Sequence, residues 1–180
     1  MAKIKLFIAS SIDGYIAKLD HSLDWLDSIP NPDNLDYGYE EFYSSVETLF
    51  IGRKTYEVVQ DMDVEWPYPD SKTYIITRND KYTVTTPNTF VINKDIEDFV
   101  DELKASQKKD IWLVGGGELI SMFMDLELID EMILTIFPIV LGSGVPLFAS
   151  DSKEVRYKLI DSRVFETGLI NLHYAKNETT

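Results

Sequence analysis

Three segments of the chain carry glycine, hydroxyl and guanidinium groups at points where an apolar run of β-forming residues ends. Residues 111–117 read Ile-Trp-Leu-Val-Gly-Gly-Gly and lead into a helical pattern at Glu118. Residues 50–57 pass through a glycine into an arginine, a lysine and a threonine at another helix start, and residues 74–78 end in Thr-Arg. Free peptide N–H groups at a helix start, together with the helix dipole, attract a phosphate group. The three segments therefore predict contacts to a phosphorylated ligand.

Each segment also has an ordinary structural explanation when it is taken alone. Glycines after a strand often form only a tight turn, and Arg53 and Arg78 can each pair with one of the many acidic side chains. Three such strand ends in order along the chain favour a nucleotide site, because ligands of α/β sheets collect at the carboxyl ends of the strands. The planar fork of an arginine suits a phosphomonoester such as the 2′-phosphate that distinguishes NADPH from NADH.

The spacing of apolar residues predicts strands and helices that alternate along the chain. The predicted strands are Ile4–Ala9, Thr48–Ile51, Thr73–Thr77, Thr89–Ile92, Ile111–Val114 and Met132–Ile139. The predicted helices are Asp36–Val46, Thr55–Gln60, Ile96–Lys104 and Glu118–Leu126. At the end of the chain, Tyr157–Phe165 and Leu169–Ala175 are typical of two strands in an antiparallel hairpin. We therefore expect an α/β fold with a mixed, mostly parallel central sheet flanked by helices and closed by this hairpin.

The composition fits one folded domain over residues 1–180, with 44% hydrophobic residues. The chain has no cysteine, and His21 and His173 are too distant in sequence to form a ligand pair, so no metal site is expected. The net charge of −14 disfavours nucleic acid and anionic lipid as partners. The apolar runs are too short to span a bilayer, and Asp13 interrupts the first run too early for a secretory signal, so we expect a cytoplasmic protein.

Five segments together resemble the dihydrofolate reductase-like superfamily, which includes the reductase domain of bacterial riboflavin-biosynthesis enzymes. The matching segments are residues 9–17 (Ala-Ser-Ser-Ile-Asp-Gly-Tyr-Ile-Ala), 52–57 (Gly-Arg-Lys-Thr-Tyr-Glu), 77–78 (Thr-Arg), 114–118 (Val-Gly-Gly-Gly-Glu) and 138–148 (Pro-Ile-Val-Leu-Gly-Ser-Gly-Val-Pro-Leu-Phe). Each match is weak alone, but five in the right order span nearly the whole chain. The resemblance implies a dihydrofolate reductase-like sheet that binds NADPH. It also implies a homodimer formed through a sheet edge or through residues 137–148, which equally suit a buried strand and turn.

The resemblance further implies roles for individual residues. Those that would hold the adenosine 2′-phosphate and neighbouring groups are Gly52, Arg53, Lys54, Thr55, Thr77 and Arg78. Those that would hold the pyrophosphate are Gly115, Gly116, Gly117, Glu118 and Leu119. Ala9 and Ile16 would border the nicotinamide. A reductase of this type passes a hydride from the nicotinamide to a C=N or C=O bond of a small heterocycle or sugar.

Asp36 is the candidate donor for the proton that accompanies the hydride. Folate reductases resemble one another in placing one carboxylate on the first helix, and the matching position here is Asp36. On the predicted helix it would lie near the apolar face centred on Phe42 and Tyr43, where apolar surroundings raise the pKa of a carboxyl group. Asp36 equally suits a structural role, because an acidic residue near a helix N-terminus stabilises the helix dipole.

Two departures from the family pattern leave the substrate open. Riboflavin-pathway reductases resemble one another in a glutamate just before two glycines of the pyrophosphate loop, where this chain has Gly115 after Val114. They also carry a basic segment for a ribosyl phosphate, whereas residues 21–36 of this chain contain no lysine or arginine. The proline-tryptophan element of folate reductases is absent, although Trp25 lies nearby and either stacks on a planar substrate or covers the core.

We therefore expect a small heterocyclic substrate. The candidates are a pterin or dihydrofolate-like ring and the 5-amino-6-(5-phosphoribosylamino)uracil of riboflavin biosynthesis. The alternative is a non-catalytic nucleotide-binding protein on the same fold. An ordinary Rossmann domain is disfavoured, because its glycine-rich turn follows the first strand, whereas the glycine run here lies late in the chain. The end of the chain is also typical of a β-hairpin.

Overall fold

Strands and helices alternate along most of the chain in the computed structural model, which describes residues 1–62 and 64–177. The strands are β1 (Ile4–Ser11), β2 (Tyr15–Ala17), β3 (Val46–Gly52), β4 (Lys72–Ile76), β5 (Thr89–Ile92), β6 (Asp110–Gly115), β7 (Glu131–Phe137), β8 (Val145–Pro146), β9 (Tyr157–Val164) and β10 (Ile170–Lys176). The helices are α1 (Tyr39–Ser45), α2 (Arg53–Asp61), α3 (Ile96–Ser106) and α4 (Gly117–Asp125), and a 3₁₀ helix spans Asp24–Ser28.

One sheet of eight strands organises the molecule, in the order β5-β4-β3-β6-β1-β7-β10-β9, while β2 and β8 pair separately. Every neighbouring pair from β5 to β7 is parallel. β10 runs antiparallel to both β7 and β9. The predicted α/β fold, with a mixed and mostly parallel sheet and an antiparallel C-terminal hairpin, is confirmed.

Side chains cover both faces of the parallel part of the sheet, which explains the nearly continuous apolar runs in these strands. On one face, α3 and α4 pack against the sheet around Leu6, Phe50 and Phe123. On the other face, an aromatic cluster joins α1 and α2 to the sheet, with Trp112 packed edge-on against Phe42. The core therefore holds the central strands rigidly and fixes where their ends lie.

Two left-handed residues determine where α1 begins. The helix predicted to start at Asp36 begins at Tyr39, because Tyr37 and Gly38 have φ values of 54° and 86°, which lie outside the helical region. The prediction that Asp36 lies on the helix is therefore wrong. The sequence also does not predict β2 and β8, because strands of three and two residues are too short to give a periodic signal.

Residues 137–148, the segment expected to form a dimer contact or a buried turn, fold back over the loop that follows β1. Phe137 and Leu147 are buried, and β8 pairs with β2. Dimerisation through this segment stays a prediction. Within the described ranges, none of the helices is long and apolar enough to cross a membrane.

A cluster of charged side chains lies at the amino ends of the central strands. Lys5 Nζ lies 2.8 Å from Asp110 and 3.5 Å from Glu131, while Glu131 also accepts a hydrogen bond from Lys3 at 2.5 Å and pairs with His173 at 3.0 Å. Only 8% of the Glu131 side chain is exposed. Burial alone would raise the pKa of Glu131, but the hydrogen bonds from Lys3 and His173 and the charge of Lys5 outweigh it and hold the pKa below its ordinary value.

We expect Glu131→Gln to lower the free energy of unfolding at pH 7 by about 3 kcal/mol, because it removes one partner of a buried ion pair and leaves Lys5 only partly compensated. The folded-state pKa of Glu131 lies below the unfolded value of 4.5. The carboxylate therefore stabilises the protein fully above pH 4.5, and this contribution is lost as the pH falls through the folded-state pKa. Urea titrations at pH 7 and at successively lower pH measure both effects.

Glu127 provides the matched control, because its carboxylate also pairs with two lysines, Lys153 and Lys176, but is far more exposed. Glu127→Gln should change the unfolding free energy much less. Equal losses in the two variants would contradict the burial argument, as would an unchanged acid dependence in Glu131→Gln.

Candidate active site

The carboxyl ends of three neighbouring strands bring the predicted cofactor residues to one edge of the sheet. β4, β3 and β6 are adjacent and parallel. Residues 77–78 follow β4, Gly52 ends β3 and Gly115 ends β6. α2 starts at Arg53 and α4 at Gly117, so the amino ends of both helices lie at this edge. The structure thus brings together the three segments that the sequence singles out.

The turns at the ends of β3 and β6 touch each other through bare backbone. A Cβ atom on Gly52 would lie 3.4 Å from the carbonyl oxygen of Gly115, and one on Gly116 would lie 2.8 Å from Thr55 Oγ1. Gly115 and Gly116 have φ values of 132° and 98°, in the region that favours glycine. The backbone conformation therefore favours glycine at Gly115 and Gly116, and the contact between the two turns holds the two helix N-termini side by side.

Three cationic side chains surround the start of α4. Lys54 Nζ donates to Glu118 Oε1 at 2.7 Å, and Arg53 Nη1 donates to Glu57 at 3.2 Å. The hydrogen bond and charge of Lys54, followed by the charges of Arg78 and Arg53, hold the pKa of Glu118 below its ordinary value. The Lys54 and Glu118 side chains are 62% and 84% exposed, so this ion pair is weak and can give way to an anionic ligand.

Thr77 and Leu119 make hydrogen bonds within their own segments, whereas the resemblance implies contacts to a ligand. Thr77 Oγ1 accepts a hydrogen bond from the Asn79 N–H at 3.2 Å. The Leu119 N–H donates to the Gly116 carbonyl at 2.9 Å, and its side chain is buried in the core. Earlier N–H groups of α4 are therefore better suited than that of Leu119 to meet a phosphate.

Ile16 lies on a small ribbon that borders the glycine turn. β2, which contains Ile16, pairs with β8, and a Cβ atom on Gly117 would lie 3.1 Å from the Val145 side chain of β8. Ala9 lies near the end of β1, beside β6 and β7. Of the two residues that would border a nicotinamide, Ile16 thus lies on the ribbon beside the glycine turn and Ala9 lies on the central strand β1.

Asp13 ties the loop after β1 to residues 138–144. Its carboxylate accepts hydrogen bonds from Ser11 Oγ at 2.6 Å and from the N–H groups of Leu141 and Gly142 at 3.1 and 2.7 Å. The Ser11 hydrogen bond, followed by those from the two backbone groups, outweighs desolvation and lowers the pKa of Asp13. The sequence indicates only a turn residue at Asp13, because these partners lie far away along the chain.

Asp36 has the environment of a helix cap. Its two carboxylate oxygens accept hydrogen bonds from the N–H groups of Gly38 at 3.0 Å and Glu40 at 2.9 Å. The side chain is exposed, and the hydrogen bonds from Glu40 and Gly38 lower its pKa. A proton donor at neutral pH needs a raised pKa instead, so the geometry favours the structural role of Asp36.

A cavity of about 270 Å³ opens between α1 and the sheet face formed by β1, β7 and β10. Phe7 and Phe42 line it, with their rings stacked 4.6 Å apart. Its ionisable lining residues are Lys5, Glu41, Asp161, Arg163 and His173. Phe7 and Ala9 point to the same face of β1, so the cavity lies next to the predicted nicotinamide position. Its size suits a small planar ring. Strands distant in sequence form this cavity, so no local pattern predicts it.

Trp25 covers the core rather than presenting its ring face to a ligand. It is 2% exposed and packs edge-on against Phe137, with ring centroids 5.2 Å apart. Of the two alternatives left open by the sequence, the packing therefore favours the core position.

Comparison with known proteins identifies the family. The family model described as the RibD C-terminal domain matches residues 2–171. This chain belongs to the RibD C-terminal domain family. The uncharacterized protein YwjB from Bacillus subtilis is 40% identical over 174 residues, which cover 97% of this chain and 98% of YwjB.

Solved structures share the fold of this RibD C-terminal domain. A putative riboflavin biosynthesis protein from Shewanella sp. PV-4 is 34% identical with a TM-score of 0.88, and the match covers 99% of this chain and 100% of that chain. Dihydrofolate reductase from Enterococcus faecalis, complexed with NADP(H), is 17% identical with a TM-score of 0.70 over 98% of this chain and 97% of that chain. The predicted dihydrofolate reductase-like fold is confirmed, and so is the predicted relationship to the RibD C-terminal domain.

In this RibD C-terminal domain, the negative charge of Glu118 should weaken the binding of the predicted NADPH ligand. We expect Glu118→Gln to lower the dissociation constant of NADPH about two- to fivefold, because it removes a negative charge and releases Lys54 from an exposed ion pair. Isothermal titration calorimetry at low salt measures the change. Glu154→Gln is the control, since Glu154 is equally exposed at 85% and lies on a different segment. Weaker NADPH binding by Glu118→Gln would contradict this assignment.

Proposed function

We propose that this protein is an NADPH-dependent reductase of a small heterocyclic substrate. One observation carries the proposal: two helix N-termini and the side chains of Arg53, Lys54 and Arg78 converge at one edge of the sheet in a chain of net charge −14. Positive groups at the carboxyl ends of parallel strands suit a bound dinucleotide. The fold shared with dihydrofolate reductase supports the same assignment.

The residues at this edge fit the parts of NADPH by their chemistry. Arg53, Lys54 and Arg78, with the hydroxyls of Thr55 and Thr77, suit the 2′-phosphate and neighbouring groups. The glycine turn at residues 115–117 suits the pyrophosphate, because bare backbone allows a close approach. NADPH supplies the hydride when it is bound, and the protein orients the acceptor ring beside it.

Two substrate chemistries remain candidates within this proposal. One is a pterin or dihydrofolate-like ring, and the other is the 5-amino-6-(5-phosphoribosylamino)uracil of riboflavin biosynthesis. The name of the Shewanella relative favours the second. The acidic segment at residues 21–36 disfavours a phosphorylated sugar, because it contains no lysine or arginine. Both substrates carry a planar ring that suits the aromatic wall of the cavity.

Titration with NADPH and NADH, on the wild-type protein and on Arg78→Ala, tests the cofactor site. We expect the wild type to prefer NADPH and the variant to lose about tenfold in NADPH affinity with little change for NADH, because only NADPH carries the 2′-phosphate that a guanidinium binds. Tryptophan fluorescence follows binding. Arg156→Ala is the matched control, since its side chain is 84% exposed and lies outside the site. The proposal is wrong if the wild type binds neither nucleotide.

Asp36→Asn tests the proton-donor role and separates the reductase from a non-catalytic nucleotide-binding protein. We expect the variant to keep NADPH binding and most of its turnover, because the single oxygen of an asparagine side chain still accepts one of the two backbone hydrogen bonds at the start of α1. NADPH oxidation with each candidate substrate is measured at 340 nm. Lost turnover with intact NADPH binding would instead make Asp36 the proton donor. Wild-type protein that binds NADPH but reduces neither substrate would favour the non-catalytic alternative.

A further inference from the structure

The cavity beside α1 contains an ionisable group that the proposed binding roles leave unused. His173 lines this cavity together with Phe7 and Ile133, and its side chain is 27% exposed. Histidine is the side chain whose charge changes most readily near neutral pH, so it is the commonest donor of protons in enzymes. Reduction of a C=N or C=O bond needs a proton as well as a hydride, and Asp36 has the hydrogen bonds of a helix cap instead.

The register of the strands places His173 next to the position predicted for the substrate ring. His173 on β10 pairs with Ile133 on β7, and Ile133 pairs with Phe7 on β1. Register partners project to the same face of a sheet, so these three side chains form one row. Ala9 lies two residues beyond Phe7, about 7 Å further along β1. A planar ring against Phe7 therefore lies between His173 and the predicted nicotinamide position.

Glu131 determines which nitrogen of the His173 ring can exchange a proton. His173 Nε2 lies 3.0 Å from Glu131 Oε2, and the pKa of Glu131 lies below its ordinary value. Because an ionised carboxylate only accepts hydrogen bonds, Nε2 carries a hydrogen and donates it. Nδ1 is then the nitrogen that gains or loses a proton, and the carboxylate keeps the ring in one orientation.

Ionisable groups of both signs lie around His173, on the strands beside it and on α1. They are Lys3, Lys5, Glu41, Glu131, Asp161 and Arg163. Asp161 on β9 is the register partner of His173. Glu41, Asp161 and Arg163 are exposed, so the cavity opens to water on this side. Water at this opening can return a proton to His173 after each donation.

We propose that His173 donates the proton that accompanies hydride transfer, an inference that rests on the proposed reductase function. The hydride adds to the carbon of the C=N or C=O bond, and NADPH becomes NADP⁺. The electron pair of that bond takes the proton from His173 Nδ1, so that an N–H or O–H bond forms. The imidazolium becomes a neutral imidazole, which then takes up a proton from water. Glu131 is a positioning residue that acts through His173 and stabilises the imidazolium.

His173→Gln is the decisive variant, because its side-chain amide can still donate to Glu131 but cannot exchange a proton near neutral pH. We expect kcat to fall about a hundredfold, as for the loss of a general acid, with little change in KM. NADPH affinity and the melting temperature should stay close to those of the wild type. NADPH oxidation at 340 nm is measured with dihydrofolate and with 5-amino-6-(5-phosphoribosylamino)uracil.

The pH profile separates proton donation from a structural role. Since the donor must be protonated, wild-type kcat/KM should fall about tenfold per pH unit above the pKa of His173, and His173→Gln should lose this limb. His21→Asn is the matched control, because the chain has only two histidines and asparagine tolerates the positive φ of 64° at this position. The control should keep wild-type activity. With NADP⁺ bound, its single imidazole lets NMR measure the pKa of His173 directly, and this value should match the kinetic one.

Three results would overturn the inference. The first is a wild-type kcat and pH profile in His173→Gln. The second is a raised KM with unchanged kcat, which would make His173 a binding residue only. The third is a pKa from NMR that differs from the kinetic value in His21→Asn, and this comparison decides the matter if His173→Gln does not fold. Wild-type protein that binds no NADPH, or that binds it and reduces neither substrate, is a separate outcome that overturns the proposed function itself.

Discussion

The contact between the turns at the ends of β3 and β6 is the constraint on which the rest of the site depends. Gly52 lies against the Gly115 carbonyl, and Gly116 lies so close to Thr55 that a Cβ atom would be only 2.8 Å from Oγ1. This packing holds the starts of α2 and α4 next to each other, and with them the cations that follow β3. The two turns predicted to bind phosphate therefore form one preorganised surface, whose geometry the rigid sheet sets.

The sequence predicts the part of this molecule that depends on local pattern. Apolar spacing locates all the longer strands and helices, and α3 begins at Ile96 as expected. The glycines and arginines are found because their chemistry is unusual at strand ends. Features that depend on tertiary context escape prediction, and two residues illustrate this. The left-handed Tyr37 gives no compositional signal, so Asp36 is misplaced onto the helix. His173 lies in an alternating run that is typical of any strand, and only its register with β7 places it beside Glu131 and the cavity.

The two ends of the central strands use charge in opposite ways. At the amino ends, Lys5 and Glu131 pair with each other in a largely buried cluster, so that neither charge is buried without a partner. At the carboxyl ends, Lys54 and Arg78 remain exposed, and Glu118 is a weak partner that a ligand can replace. Between these ends, the buried hydroxyl of Thr135 finds no hydrogen-bond partner among the described residues and reduces stability in the free protein. Backbone strain and polar groups without hydrogen-bond partners cost stability, which other parts of the structure must supply. Their occurrence at one place is typical of a functional site.

The position of β1 has a consequence for how the chain is made. Of the strands described, β1 is synthesised before the others, yet its partners β6 and β7 begin only at Asp110 and Glu131. The sheet neighbours β3, β4 and β5 also follow one another in sequence. They can therefore pair with one another before β1 has a partner strand. Pairing over such long sequence separations is slow and leaves an apolar strand open to aggregation. The strand synthesised first is thus among the last to pair, and the pocket beside Ala9 is complete only when the C-terminal hairpin docks.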